Sequence, residues 1–378
     1  MGNLATHEPH ELQQEIKAGG VVYRKATPDD DASLRQVLRE ISMDSWVNVS
    51  TEHEPSYFES SNIFGVTETI LASSDDHNQS TVGICSSVSM PVYINGMAKD
   101  AGYLSELRVL PEYRHKLSVI RNGFKSIEAL NQQHTYWFTS IAKENSTARR
   151  LLEANLKGMP AYQPRGELLT IALPVCDKLK RNLLVPATEE DIPALVEFYR
   201  SHNAGFQYAP VISEQWLRGL DGQTGLRVQD FWLLKDKGAI KAACAIWDQR
   251  KLKQSVVRGY RFPLNIIRQA YNLYAKLSGR VALPAVGDKI NYIFIAFLAV
   301  SGEASKHTKA IVTTARKLVK EKGANVAMLG VSTQNPIASY LETIPHHAYS
   351  TIIESVTWPT YREQKIDDRP VQPEIAVI

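Results

Sequence analysis

Tyr103-Leu-Ser-Glu-Leu-Arg-Val-Leu-Pro-Glu-Tyr-Arg-His-Lys-Leu-Ser-Val-Ile-Arg-Asn-Gly-Phe-Lys-Ser-Ile-Glu-Ala129 decides the fold, because it reads as a strand, a tight turn and a helix in succession. Leu104, Leu107 and Val109 suit a mostly buried strand, and Pro111, which cannot donate to a ladder, ends it near Leu110. Leu117, Ile120, Phe124, Ile127 and Leu130 then recur at helical spacing. A strand running straight into a helix leaves the helix's first amides without acceptors, which suits an anion such as a pyrophosphate. Arg114, His115 and Lys116 add positive or potentially positive charge at the same turn.

Leu107-x-Val109-x-Pro111-x-x-Arg114 resembles the central motif of the GCN5-related N-acetyltransferase (GNAT) superfamily. In that family the motif continues into Gly-x-Gly/Ala, and the turn holds the pyrophosphate of acetyl-coenzyme A. Here Leu117, Ser118 and Val119 stand where the glycines would, so the close backbone approach that glycine permits is not provided for. The resemblance assigns Leu107, Arg108, Val109, Arg114, His115, Lys116, Leu117, Ser118 and Val119 to the cofactor. It also assigns it Asn145, at the start of the next helix, for the pantetheine arm. The family's general-acid tyrosine falls seven residues later, at Leu152, so no acid is supplied there.

Acyl transfer to an amine needs a base, a held thioester and a donor for the oxyanion. Glu106, beside Leu107 on the strand but with opposite side-chain parity, is the candidate base, with pairing to Arg108 or another basic residue as the structural alternative. Met43 to Phe58 reads as an irregular connection, and Trp46, Glu54, Tyr57 and Phe58 are its candidate acceptor residues. Core anchoring is an equal reading for Tyr57 and Phe58. His53, between Glu52 and Glu54, lacks metal-ligand spacing, and no metal is expected.

The rest of the first half fits around this centre. Val21–Thr27 reads as a strand, followed by a helix capped by Thr27 with Pro28 and three aspartates in its first turn. Thr67–Ala72 and Thr81–Asn95 form a hairpin, Tyr136–Ile141 the next strand, and Glu167–Val175 a closing strand. The pattern then restarts. Ala26-Thr27-x-x-Asp30-x-x-x-Leu34 is echoed by Ala187-Thr188-x-x-Asp191-x-x-x-Leu195, Leu107-x-Val109 by Leu298-x-Val300, and Asn145-x-x-Ala148 by Asn335-x-x-Ala338. The last two echoes lie about 30 residues further along than the first, which an inserted amphipathic helix over 263–279 explains. Common order and near-constant spacing indicate a tandem duplication.

The resulting fold class is α/β (α+β): two tandem GNAT (acyl-CoA N-acyltransferase-like) domains, each a mixed, mostly antiparallel sheet flanked by helices. The expected boundaries are an N-terminal arm over 1–19, a first domain over 20–175, a linker over 176–181, a second domain over 182–360 and a polar tail over 361–378. The second half lacks the arginine and glycines of the motif and is read as structural, or as completing the acceptor cleft.

Composition sets the outer limits. The 378 residues are 44% hydrophobic and 22% charged with net charge +3, ordinary for about two globular domains and too weakly basic to argue for nucleic acid. Arg250-Lys-Leu-Lys253 reads as solvated surface or linker. Cys85, Cys176 and Cys244 are far apart and flanked by apolar residues, which fits buried free thiols in a reducing, cytoplasmic setting. No apolar run reaches the roughly 18 residues of a membrane span. The resemblance implies an acetyl-CoA-dependent N-acetyltransferase, with acetyl-CoA or another acyl-CoA as donor, an amine on a small molecule or polypeptide as acceptor, and the chemistry in the first half. A catalytically inert binding protein and an aminoacyl or peptidyl transferase are the alternatives.

Overall fold

The computed structural model describes residues 15–41, 46–76, 80–176, 183–301, 304–360 and 365–378. In the first half the strands are β1 (Ile16–Ala18), β2 (Val21–Lys25), β3 (Val47–Glu52), β4 (Val66–Ser74), β5 (Thr81–Ile94), β6 (Met97–Val109), β7 (Tyr136–Ala142) and β8 (Ala161–Pro174). The helices among them are α1 (Asp31–Glu40), α2 (Tyr57–Ser61), α3 (Leu117–Leu130) and α4 (Ser146–Leu152). The second half supplies β9 (Val185–Pro186), β10 (Phe231–Asp236), β11 (Ala239–Trp247), β12 (Gln254–Tyr260), β13 (Tyr292–Val300), β14 (Val326–Ser332) and β15 (His347–Thr357). Its helices are α5 (Ile192–Asn203), α6 (Glu214–Arg218), α7 (Leu264–Ser278), α8 (Ala304–Glu321) and α9 (Ile337–Leu341).

Both halves start with the same device. Asp30 Oδ2 accepts from the Thr27 amide at 2.8 Å, and Asp191 Oδ2 accepts from the Thr188 amide at 3.1 Å. Each carboxylate satisfies an amide just ahead of the helix, near the positive end of its dipole. The stripe Leu34, Val37 and Leu38 of α1 is buried, as is Leu195 at the matching place in α5. The decisive stretch folds as read in its elements: β6 ends at Val109, Pro111–Tyr113 makes a single tight turn, and α3 buries Val119, Ile120, Phe124 and Ile127, but Leu117, read as part of the apolar stripe, is exposed at the helix start.

Thirteen strands join in one sheet, in the order β1-β2-β4-β5-β6-β7-β15-β8-β14-β13-β11-β10-β9. Among the described strands only β6 with β7 and β13 with β14 pair in parallel. The closing strands are exchanged: β15 pairs with β7 of the first half, and β8 pairs with β14 of the second. β8 and β15 also pair with each other, from His347 opposite Ala172 to Thr357 opposite Ala161. A division near residues 175–182 therefore cuts the chain without cutting the sheet. Residues 177–182, most of the expected linker, lie outside the described residues, as do residues 1–14 of the expected arm.

Three parts differ from the sequence reading. Val47–Glu52, read as irregular, is β3. It pairs with β12 in a separate two-stranded sheet, Val47 opposite Tyr260 and Glu52 opposite Gln254, and so ties the halves together a second time. The polar tail is packed down: Val371, Ala376 and Val377 are buried. Val371 and Ile375 lie over Gly166 of β8 and Gly330 of β14, where an added Cβ would come within 2.7 and 2.4 Å of them. Finally, Cys85 and Cys244 are buried free thiols, but Cys176 is only partly buried.

Candidate active site

The parallel pair β6–β7 is in register only from Ala101–Leu104 against Tyr136–Thr139. Beyond Leu104 the strands part, and a cavity of about 470 Å³ opens between them. Ser105 to Arg108 line one wall, Ser140 to Ala142 the other, and Asn145, Ala148 and Leu152 of the following helix the floor. The second half closes it with Lys253, just before β12, Ser255 of β12, Tyr292 and Phe294 of β13, and Tyr349 of β15. The last four residues, Ile375 to Ile378, also face it.

A bulge places Glu106. Ile84 of β5 stands opposite Arg108 and Ser86 opposite Ser105, so Glu106 and Leu107 share a single partner position. Glu106 takes φ of +51°, in the left-handed region that costs a non-glycine residue of order 1 kcal/mol or more. Its carboxylate is held on all sides. Tyr57 Oη donates to Oε2 at 2.5 Å, Ser86 Oγ donates to Oε2 at 3.2 Å, and His53 Nε2 lies 3.2 Å from Oε1. His53 Nδ1 is 2.7 Å from Ser60 Oγ, so a neutral imidazole with its proton on Nε2 satisfies both neighbours.

The electrostatics follow from this packing. Burial pushes His53 down to about 4, against the pull of Glu106. Burial also pushes the Glu106 carboxyl up, but His53, the Tyr57 hydroxyl, Lys253 and Arg108 together outweigh it, and the group sits below the ordinary carboxylate range. With His53 neutral, its effect on Glu106 is that of a hydrogen-bond donor and not of a full charge. Lys253 is pushed down by burial, opposed by Glu106, and its ammonium makes no hydrogen bond or ion pair among the described residues, although its amide donates to the Gln249 carbonyl at 2.8 Å. Arg108 donates to the Leu107 carbonyl at 3.2 Å while its Nε has no partner among the described residues. Tyr103 and Tyr349 line the cavity as neutral phenols, each raised to about 12, chiefly by burial.

The second half repeats the bulge. Phe297, the residue before Leu298 as Glu106 precedes Leu107, has φ of +52°. Its amide donates to Glu374 Oε2 at 2.6 Å, and Glu374 Oε1 accepts from the Ala376 amide at 3.1 Å. The tail thus lays a carboxylate on the second bulge.

Glu106, Leu107, Arg108 and Asn145 come together in the cavity wall. Asn145 also caps α4, its Oδ1 accepting from the Ala148 amide at 3.1 Å. Val109, Arg114, His115, Lys116, Leu117, Ser118 and Val119 lie outside the lining, toward and along the turn after Pro111. There Arg114 Nε donates to the Val109 carbonyl at 2.9 Å, and Lys116 Nζ stands 4.5 Å over the Tyr113 ring. The amides of Tyr113, Arg114, Lys116 and Val119 are bonded within the turn, whereas those of His115, Leu117 and Ser118 have no protein acceptor among the described residues. Val119 packs into the core beneath α3 and Leu117 points outward, so neither fills the turn.

Of the acceptor residues read from sequence, Tyr57 alone reaches Glu106. Glu54 is engaged by Arg35 at 2.5 Å and Arg39 at 2.6 Å, Phe58 packs against the α1 cluster, and Trp46 is exposed at the end of β3. His53 and Lys253 were missed. His53 carries no spacing signal, and Lys253, read as solvated surface or linker, reaches the cavity only because β12 pairs with β3. Among the described residues no cluster of His, Cys, Asp or Glu could hold a metal.

No family model and no curated protein sequence matches the chain. Solved structures do match. Saccharomyces cerevisiae N-myristoyltransferase with bound myristoyl-CoA aligns at TM-score 0.59 and 10% identity over 94% of this chain and 89% of that one. A GCN5-related glucosamine N-acetyltransferase region of a fungal multi-domain GH3 β-N-acetylglucosaminidase aligns at TM-score 0.59 and 12% identity, over 92% of this chain and 39% of that one. The chain thus has the GNAT fold, as its strand-turn-helix motif and splayed parallel strands indicate. The alignment with N-myristoyltransferase runs over nearly the whole chain, so both halves of the sheet fall within it.

Proposed function

We propose that the protein transfers an acyl group from a coenzyme A thioester to an amine, in the cavity shared by its two halves. The observation that carries this reading is the paired bulge. At Phe297 the left-handed bulge amide already holds a carboxylate oxygen, so the same backbone geometry at Glu106, on the cavity wall, suits a thioester carbonyl and its developing oxyanion.

The remaining parts fit. The acceptor-free amides of His115, Leu117 and Ser118, at the start of a 14-residue helix, are where a pyrophosphate would rest. The gap between β6 and β7 would take the pantetheine arm. Glu106, ionised, would receive the amine proton directly or through one water, while Tyr57 and His53 hold it in place. Lys253 and Arg108, in the same lining as Glu106, would disfavour a charged ammonium close to them and steady the oxyanion. Leu152 offers no acid for the departing thiolate, and Tyr349 or Tyr103, in the same lining, would supply the proton. The fungal N-acetyltransferase region and the myristoyl-CoA complex bracket the acyl chain between short and long. Acetyl-CoA is the proposed donor from the sequence motif.

The test is release of free thiol from acetyl-, octanoyl- and myristoyl-CoA in the presence of amines and N-terminal peptides, alongside thermal shifts with each thioester. A thioester that raises the melting temperature and yields thiol only with an amine supports the reading. The absence of both at millimolar thioester rules it out, and a shift without turnover assigns the inert binding protein instead.

A further inference from the structure

The inserted helix α7 is seated the wrong way round for a soluble domain. Its inward side is polar: Arg268 Nη1 donates to the Pro284 carbonyl at 3.0 Å, and Asn272 exchanges two 2.8 Å hydrogen bonds with the backbone of Leu283. Tyr271 Oη meets His347 Nε2 at 2.9 Å, and Ala275 is the helix's one buried residue among those described. The outward side carries Ile266, Ile267, Leu273, Tyr274 and Leu277, with Leu277 82% exposed. Positions 266, 270, 273 and 277 repeat at the spacing of a single helical stripe. Of the thirteen large apolar side chains exposed among the described residues, seven lie between Phe262 and Val286. Trp46, also exposed, joins them, because its carbonyl accepts from the Arg261 amide at the head of the helix. Contiguous exposure of this kind marks an interaction surface.

Charge selects the partner. No acidic residue occurs between Asp248 and Asp288, while the exposed Lys276 and Arg280 lie on and just beyond the helix and Arg280 stands 5.9 Å from the Tyr274 ring centroid. Two copies of a face that bears Lys276 and Arg280 and no carboxylate on its helix repel each other, which argues against self-association. An apolar helical stripe whose own helix supplies aromatic residues and cations but no carboxylate is the form that lies in the interface of an anionic bilayer, rings and stripe in the acyl boundary and cations among the headgroups. We propose that α7, with Phe262 and Trp46 at its head, is a membrane-surface docking element for anionic lipid. The inference is independent of the acyl-transfer reading.

Sedimentation of the full chain with vesicles tests it, comparing pure phosphatidylcholine with phosphatidylcholine containing phosphatidylserine. The protein should partition at least about tenfold better onto the anionic vesicles and be released by salt. The triple variant I266E/L273E/L277E should lose binding at least about tenfold with an unchanged melting temperature, because its side chains are already in water. Lys276→Gln with Arg280→Gln should lose only the preference for anionic lipid. Failure of the wild type to bind either vesicle overturns the proposal. So does unaltered binding by the glutamate variant, or a wild-type dimer that the glutamates dissociate without any vesicle binding.

Discussion

The amide of Phe297 donates to the carboxylate of Glu374 at 2.6 Å, at the one position in the second half that matches Glu106 in the first. The second bulge is thereby filled from within, and the first is left facing a cavity. Removing the carboxylate separates the two roles. Glu374→Ala leaves the Phe297 amide buried without its partner, and the loss should be about 1–3 kcal/mol in chemical denaturation. Burial raises Glu374 to about 7, above its unfolded value. Its favourable contribution is therefore complete below about 4.3 and is lost as pH rises through about 7. Glu374→Gln should abolish that decline, measured as stability against pH between 4 and 8.

Glu106→Gln should reduce turnover by about 10²-fold or more while leaving the melting temperature shift with thioester in place. Because the carboxyl is held below its ordinary range, the acidic limb of the wild-type rate profile should fall below about pH 4.3. A limb centred between pH 6 and 7 would assign the proton transfer to another group. Lys253→Met removes a neighbour that lowers Glu106, so the same limb should move to higher pH.

His53 is neutral when folded and titrates near 4, well below its unfolded value near 6.5. The folded state resists the proton that the unfolded chain accepts. Stability is complete above about pH 6.5 and falls toward pH 4, by on the order of 3 kcal/mol at most from this one group. His53→Gln should flatten that part of the acid denaturation curve and lengthen the link to Glu106, lowering turnover without abolishing it.

Gly330→Ala should press the tail off β14, since the new Cβ would sit 2.4 Å from Ile375. The expected cost is about 1–3 kcal/mol, with a rise in thioester or amine KM, because Ile375 to Ile378 face the cavity. Ile375→Ala in the same chain should recover much of the stability, and a non-additive double-mutant cycle would confirm the contact.

The sequence made the strand-turn-helix stretch, both capped starts and Asn145 legible because each is a local device with its partners a few residues away. The bulge could not be seen: Glu106 and Phe297 are poor residues for positive φ, and only the pairing with β5 and β11 forces it. β3 escaped notice because Val47-Asn-Val-Ser-Thr-Glu52 is short and half polar, and its partner lies some 200 residues away. The same distance hid Lys253. The tail looked like solvent-exposed chain because its apolar residues are few, yet glycines in β8 and β14 leave hollows that fit them. Which closing strand completes which half is not a local property at all, since both candidates carry suitable patterns.

The exchange of β8 and β15 has a temporal consequence. As the polypeptide leaves the ribosome, the first half must wait with β7 unpaired on one side until residues 347–357 have been made. The acidic pocket at Glu106 is thus assembled late from parts encoded early. A truncated product that stops before β15 would display a bare sheet edge in place of a reaction chamber.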